Sequence, residues 1–168
     1  QGLAIDQAGL SLTVPSLELD WRPAALLRGE LQVALLRVDG AELTLAASDE
    51  TQSDARPLRP AALRPPLDIV LTELQLQNLR VRLPDGSVHT IDQAHASVRL
   101  VDDSLALERL VIASPAGNLG ASLTARLNDT LPIDARIDWS TRLPDQRDIG
   151  GRLLLQGDAQ SLAVTHEG

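Results

Sequence analysis

Leu119-Gly120-Ala121-Ser122-Leu123-Thr124-Ala125-Arg126-Leu127, followed after a break by Ile133-Asp134-Ala135-Arg136-Ile137-Asp138-Trp139, sets an apolar residue at every second position. Side chains along a β-strand alternate between its two faces, so each stretch reads as a strand with one face turned from water. Shorter runs of the same kind are Leu43 and Leu45, then Ala94, Ala96, Val98 and Leu100, then Leu153 and Leu155, and last Leu162 and Val164. Turn-forming steps separate many of them, at Asp39-Gly40, Asp85-Gly86, Asp102-Asp103, Asn128-Asp129 and Gly157-Asp158. The reading is an all-β chain of about ten antiparallel strands joined mainly by tight turns, a meander.

One element departs from this spacing. In Trp21-Arg22-Pro23-Ala24-Ala25-Leu26-Leu27-Arg28-Gly29, proline suits a first helical turn and glycine the position past the last. Residues 23–28 are therefore predicted as a short helix capping one end of the sheet. Residues 48–66 carry Ser48, Asp49, Ser53 and Asp54, then Pro57, Pro60, Pro65 and Pro66, and read as a flexible proline-rich loop. A helical turn through Ala61–Leu63 fits within it. The chain is thus read as one segment, 1–168, with a first strand group over 1–47 and a second over 67–168.

The stretch Glu30-Leu31-Gln32-Val33-Ala34-Leu35-Leu36-Arg37-Val38 matches Glu73-Leu74-Gln75-Leu76-Gln77-Asn78-Leu79-Arg80-Val81. Looser copies are Leu12, Val14, Leu17, Leu19 and Leu105, Leu107, Leu110, Ile112. The shared skeleton is apolar-x-apolar-x-x-apolar-x-apolar. Its extra central residue would flip the second half of a plain strand to the other face. A β-bulge, with two residues opposing one, keeps all four apolar side chains together and bends the strand. Repeated bends predict a curved sheet with an open apolar groove. A closed sandwich or barrel, with the bulges as corners, is the alternative. A β-solenoid is another, because Ile69, Leu71, Leu74, Leu76, Leu79 and Val81 advance in fives.

Composition bounds the chemistry. The 168 residues carry a net charge of −8, every base is Arg, cysteine is absent, and Trp21 and Trp139 are the only aromatics. Clustered positive charge and stacking aromatics are what nucleic acid requires, so it is excluded as a partner. Disulfides, thiolate catalysis and cysteine-ligated metals are excluded as well. The chain opens at Gln1 without a basic and apolar leader, so any export signal or membrane anchor is expected outside it, and the segment itself is expected to be soluble. His89, His95 and His166 are the only imidazoles, too few without cysteine for a zinc set, and are read as solvated. Asp102-Asp103 reads as a hairpin turn, and Asp134 with Asp138 as the outward side of a strand, rather than as acid pairs or calcium ligands. No nucleophile, phosphate-loop or dinucleotide motif occurs, and no enzyme, cofactor or metal is expected.

Leu17-Glu18-Leu19-Asp20-Trp21-Arg22-Pro23-Ala24-Ala25-Leu26-Leu27-Arg28-Gly29-Glu30-Leu31, running into Leu36-Arg37-Val38-Asp39-Gly40-Ala41, resembles the amino-terminal part of the TamB family, translocation and assembly module subunits related to the AsmA-like envelope proteins. Pro66-Leu67-Asp68-Ile69 and Leu131-Pro132-Ile133-Asp134-Ala135 extend the likeness over nearly the whole chain. The resemblance implies a β-taco-like groove in a periplasmic protein held in the inner membrane by an amino-terminal helix, with an outer-membrane partner of the Omp85 type, TamA. It implies a role in outer-membrane biogenesis or in phospholipid transport between the membranes, as in the chorein-like bridge proteins. The expected groove lining is Leu12, Val14, Leu17, Leu19, Leu31, Val33, Leu74, Leu76, Leu79, Val81, Leu123, Leu127, Ile133 and Ile137, holding phospholipid acyl chains or other apolar cargo. Arg80, Arg82 and Arg99 are placed at its rim, within reach of head-group phosphate. Two alternatives stand beside it: assembly of outer-membrane β-barrel proteins by strand addition, and a structural spacer with a closed core.

Overall fold

The computed structural model describes residues 3–7, 10–46, 66–143, 145, 147–158 and 160–168. Twelve strands join one sheet: β1 (Leu3–Gln7), β2 (Leu10–Val14), β3 (Ser16–Arg22), β4 (Glu30–Asp39), β5 (Glu42–Leu45), β6 (Asp68–Arg82), β7 (Val88–Val101), β8 (Ser104–Ser114), β9 (Gly117–Arg126), β10 (Ile133–Arg142), β11 (Asp148–Gly157) and β12 (Leu162–Glu167). From β6 to β12 the sheet is an antiparallel meander in sequence order. Among the described residues no ladder joins β12 back to β1 or β3, so the sheet is open. Among the described residues no helix is long and apolar enough to cross a membrane.

The first third is built from broken strands. β2 and β3 are one line interrupted at Pro15, and β4 and β5 are one line interrupted at Gly40 and Ala41. β2 pairs with β5, and β3 with β4, all antiparallel. The step Asp39-Gly40 is therefore not a hairpin. Gly40 takes a left-handed φ of 71°, its amide donates to the Gln77 carbonyl at 3.0 Å, and Arg80 N–H donates to the Ala41 carbonyl at 2.9 Å. The chain turns a corner there and runs on beside β6. A Cβ at Gly40 would meet Pro15 Cγ at 3.2 Å, so proline and glycine interlock at the corner.

That continuity produces the one departure from an antiparallel sheet, because β4 and β5 both run parallel to β6. A parallel neighbour needs a connection of a dozen or more residues to bring the chain back to its starting end. The 22 residues between Leu45 and Asp68 supply the length. Of the loop read over 48–66, all but Pro66 lies outside the described residues, as does the turn at Ala61–Leu63.

The helix over Pro23–Arg28 is a 3-10 helix, the form short segments take when too few residues are present to propagate an α-helix. Pro23 opens it, and Gly29, left-handed at φ 75°, closes it by donating its amide to the carbonyls of Ala25 and Leu26. It packs against β4 with Ala25 buried beneath it.

Candidate functional site

Residues directly opposite in a ladder point to the same side of the sheet, so register shows which side chains share a face. Four apolar rows run across the strands. The first is Leu17, Val38, Leu76, Ala94, Ile112, Leu119, Trp139 and Gly151, and the second is Leu19, Leu36, Leu74, Ala96, Leu110, Ala121, Ile137, Leu153 and His166. The third is Trp21, Val33, Leu71, Val98, Leu107, Leu123, Ala135, Leu155 and Val164. The fourth is Leu31, Ile69, Leu100, Leu105, Ala125, Ile133, Gly157 and Leu162. β7, β9 and β10 carry all four at strict two-residue spacing, so the rows lie on one face.

The other strands reach the same result through bulges. Between the second and third rows, Thr72 and Glu73 of β6 oppose Ser97 of β7, while Glu108 and Arg109 of β8 oppose Ser97 on one side and Ser122 on the other. In β4, Ala34 is the extra residue against β3. The bulges line up in a crease across the sheet. Each bends its strand, and a line of them curves the sheet as a whole.

The four-residue skeleton thus has two structural meanings. In β8 and β4 the two-residue gap is a bulge. In Leu12-Val14-Leu17-Leu19 and Leu74-Leu76-Leu79-Val81 no register shift occurs; the gaps are Pro15 with Ser16, and Gln77 with a left-handed Asn78 at φ 54°. These fall on the same line as Gly40. Beyond that corner a smaller apolar set pairs Leu12 with Leu43, Leu43 with Val81, and Leu79 with Ile91.

Burial shows what kind of face the rows form. Ala94, Ala96 and Ala125 are buried although, among the described residues, the strands form a single sheet with no second sheet to cover them, as short side chains between larger neighbours on a curved face are. That is the packing of a concave surface. Toward the free edges the rows open to water: Leu19 is 48 % exposed and Val164 59 %. Among the described residues no large side chain is fully buried. A closed core would contain several.

Of the fourteen expected lining residues, Leu17, Leu19, Leu31, Val33, Leu74, Leu76, Leu123, Ile133 and Ile137 lie in the four rows, and Leu12, Leu79 and Val81 lie past the corner. Val14 and Leu127 do not face an opening. Val14 is buried at the Pro15 break, and Leu127 is buried beyond the end of β9, its amide donating to the Asp103 carbonyl at 2.7 Å. Leu36, Val38, Ile69, Leu71 and Leu107 belong to the rows without having been expected there. Their signal was the spacing of two on each side of a two-residue gap.

The opposite face is mainly polar. Arg37 donates to Gln75 at 2.9 Å and to Glu18 at 2.7 Å, in a row that crosses β3, β4 and β6. Arg99 alternates with Val98 and Leu100 and lies on this outer face, where it pairs with Glu108 at 3.5 Å; Arg80 and Arg82 lie past the corner, with Arg80 paired to Glu42 at 3.6 Å. His89 is opposite Val81 and His95 opposite Gln75, and no cluster of three metal-ligating side chains occurs among the described residues. A cavity of about 640 Å³ lies at the strand ends, lined by Thr124, Arg126, Asp134 and Asp158 beside Ala125 and Ile133, too mixed to continue the apolar face.

Asp138 is the most strongly tuned group on the polar side. It accepts from Arg136 Nε at 2.8 Å and from Arg152 Nε at 2.7 Å, and these bonds lower its pKa to about 2. A carboxyl whose folded pKa is depressed contributes stability above its ordinary value near ~4 and loses it as pH falls toward the folded value. The expected result is that the stability difference between the wild type and Asp138→Asn shrinks as pH drops from about 4 to about 2. Hydrogen exchange of β10 and β11 amides checks this, and a difference constant with pH would contradict it.

Comparison with models of known families, with curated proteins and with solved structures returned no match.

Proposed function

We propose that the apolar face shields phospholipid acyl chains, as one segment of a TamB-like envelope protein that carries lipid through the periplasm between the inner and outer membranes. The observation that carries this reading is the set of four apolar rows, continuous from β4 to β10, on a single sheet, half-buried at the centre and open toward the edges. Each methylene moved from water onto such a surface gains about 0.8 kcal/mol, so about five outweigh the ~1 kcal/mol net worth of a hydrogen bond. The face therefore selects for apolar length. On this reading the full-length protein is anchored in the inner membrane and meets an Omp85-type partner, TamA, at the outer one.

The test is native mass spectrometry of the purified chain after incubation with phospholipid. Leu76→Asp and Leu123→Asp place a charge in the first and third rows. Both are expected to lose bound lipid while circular dichroism keeps its strand signature. Lipid retained by both variants, or never taken up by the wild type, contradicts the proposal.

A second reading is favoured by one feature, the sheet edges. β3 and β12 have outer edges without a ladder partner among the described residues, and an unfolded outer-membrane strand would pair there through backbone hydrogen bonds. Peptide binding that survives Leu76→Asp would distinguish it. A spacer with a closed core would take up neither lipid nor peptide.

A further inference from the structure

We propose that the Pro23–Arg28 helix, with Trp21 before it, is a membrane-surface anchor that dips into the headgroup region of an anionic bilayer. Leu27 is 91 % exposed, the most exposed large apolar side chain among the described residues, and Leu26 beside it is 43 % exposed. Neither is loose. Ala25 is 1 % exposed beneath the turn, and the amide of Gly29 ties the carbonyls of Ala25 and Leu26, so the two leucines are held outward on a rigid stub. Trp21, 38 % exposed, ends the third apolar row at the base of that stub.

The size and chemistry of the patch favour a bilayer over a protein. A specific protein interface removes about 800 Å² from each partner, more than two leucines and the edge of an indole can supply. A tryptophan with neighbouring leucines and arginines is the combination that settles where acyl chains meet headgroups. Arg22 and Arg28 stand at the two ends of the stub. Arg28 has no ion-pair partner among the described residues, and Arg22 donates only to Gln32, at 3.4 Å. Both are available to phosphate. Asp20 and Glu30 lie nearby and the chain as a whole carries −8, so attraction is local to the stub and depends on screening of the remainder, which fades beyond ~10 Å at ~0.1 M salt. The helix stands at the end of the sheet where Leu31 and Ile69 begin the fourth row, so docking would set one mouth of the apolar face on the membrane. The anchor does not depend on what the face carries.

The experiment uses the chain with Trp139→Phe, leaving Trp21 as the sole fluorophore, and vesicles of phosphatidylcholine with or without phosphatidylglycerol. A blue shift of Trp21 and co-sedimentation with the anionic vesicles are expected. Leu26→Asp with Leu27→Asp is expected to weaken binding about tenfold or more, and Arg22→Gln with Arg28→Gln to flatten its salt dependence. Unchanged binding in the leucine variant, no shift of Trp21, or equal binding to both vesicles overturns the proposal. So does a leucine variant that alters only the oligomeric state, since the patch is then a contact between copies. Leu76→Asp is expected to bind vesicles normally, so failure of the anchor and failure of the lipid-shielding reading are separable.

Discussion

Deleting Ser97 is expected to destabilise the sheet severely, whereas deleting Glu108 leaves it nearly as stable as before. Both remove one residue from the same crease, and they differ only in which side of the bulge loses it. Ser97 is the single residue that the pairs Thr72-Glu73 and Glu108-Arg109 oppose. Without it Ala96 abuts Val98, and one half of β7 turns its apolar residues to the polar face. The hairpin to β8 has no slack to absorb a slip, since Val101 pairs with Ser104 across two residues and Asp102 is already left-handed at φ 55°. Fully burying a valine or leucine is worth about 1.5–3 kcal/mol. Val98 and Leu100 are half-buried and lie between two ladders each, so a loss of roughly 3 kcal/mol is expected, a large part of a domain's total of about 5–15 kcal/mol.

Removal of Glu108 works the other way. β7 and β9, on either side of β8, carry no extra residue there, so the shortened β8 alternates regularly and keeps Leu107 opposite Val98 and Leu123, and Leu110 opposite Ala96 and Ala121. The Arg99–Glu108 pair is exposed, and surface pairs of this kind contribute about 0–1 kcal/mol. What disappears is the bend. A shallower face with less lipid taken up per chain is the expected functional consequence, read by native mass spectrometry beside urea unfolding of both deletions. Equal stability of the two would show that the crease is not a register device.

Much of this was legible in the sequence. Alternation such as Ile133-Ala135-Ile137-Trp139 does not depend on a partner, because a strand's two-residue period is fixed by its backbone. The two-residue gaps were legible as interruptions too. Their kind was not. Leu107-Glu108-Arg109-Leu110 and Leu76-Gln77-Asn78-Leu79 share one pattern, yet the first shifts register and the second turns a left-handed corner without a shift. The difference lies in the neighbouring strands, whose residues at that level are either one fewer or equal in number. The repeat is not the register either: similarity sets Leu31 against Leu74, while the ladder pairs Leu31 with Ile69. β6 carries both kinds of interruption, and its steps of five, which suggested a solenoid, are the interval between them. The parallel seam was hidden for a further reason. Asp39-Gly40 has hairpin chemistry, and only Pro15 and Gln77 packed around Gly40 make it a corner instead. Of the expected lining, Val14 and Leu127 went astray because period alone cannot separate a residue on an open face from one sealed at a strand end.

The glycines that close the β11–β12 hairpin and the β6–β7 turn give the other large contrast. Gly157 has φ 157°, and a Cβ built on it would lie 2.0 Å from the Ser161 carbonyl oxygen and 2.8 Å from Leu162 Cα. Both are backbone atoms that no rotamer change can move aside. Gly86 also has a positive φ, 83°, but an added Cβ there meets nothing within 4 Å. Gly86→Ala is therefore expected to cost about 1 kcal/mol, the left-handed penalty alone. Gly157→Ala must in addition break the pairing of Gly157 with Leu162, which begins β12. A loss of about 2–4 kcal/mol is expected for that hairpin, concentrated in the last strand because β12 is held by one ladder only among the described residues. Hydrogen exchange should show β12 amides deprotected while β7 and β8 stay slow. Losing β12 also strips Leu162 and Val164 from one lip of the apolar face and bares the edge of β11, so the variant is expected to aggregate as well as to hold less lipid. If Gly157→Ala and Gly86→Ala proved equally mild, β12 would not be anchored through its turn, and the lip it forms would have to be held by its side chains.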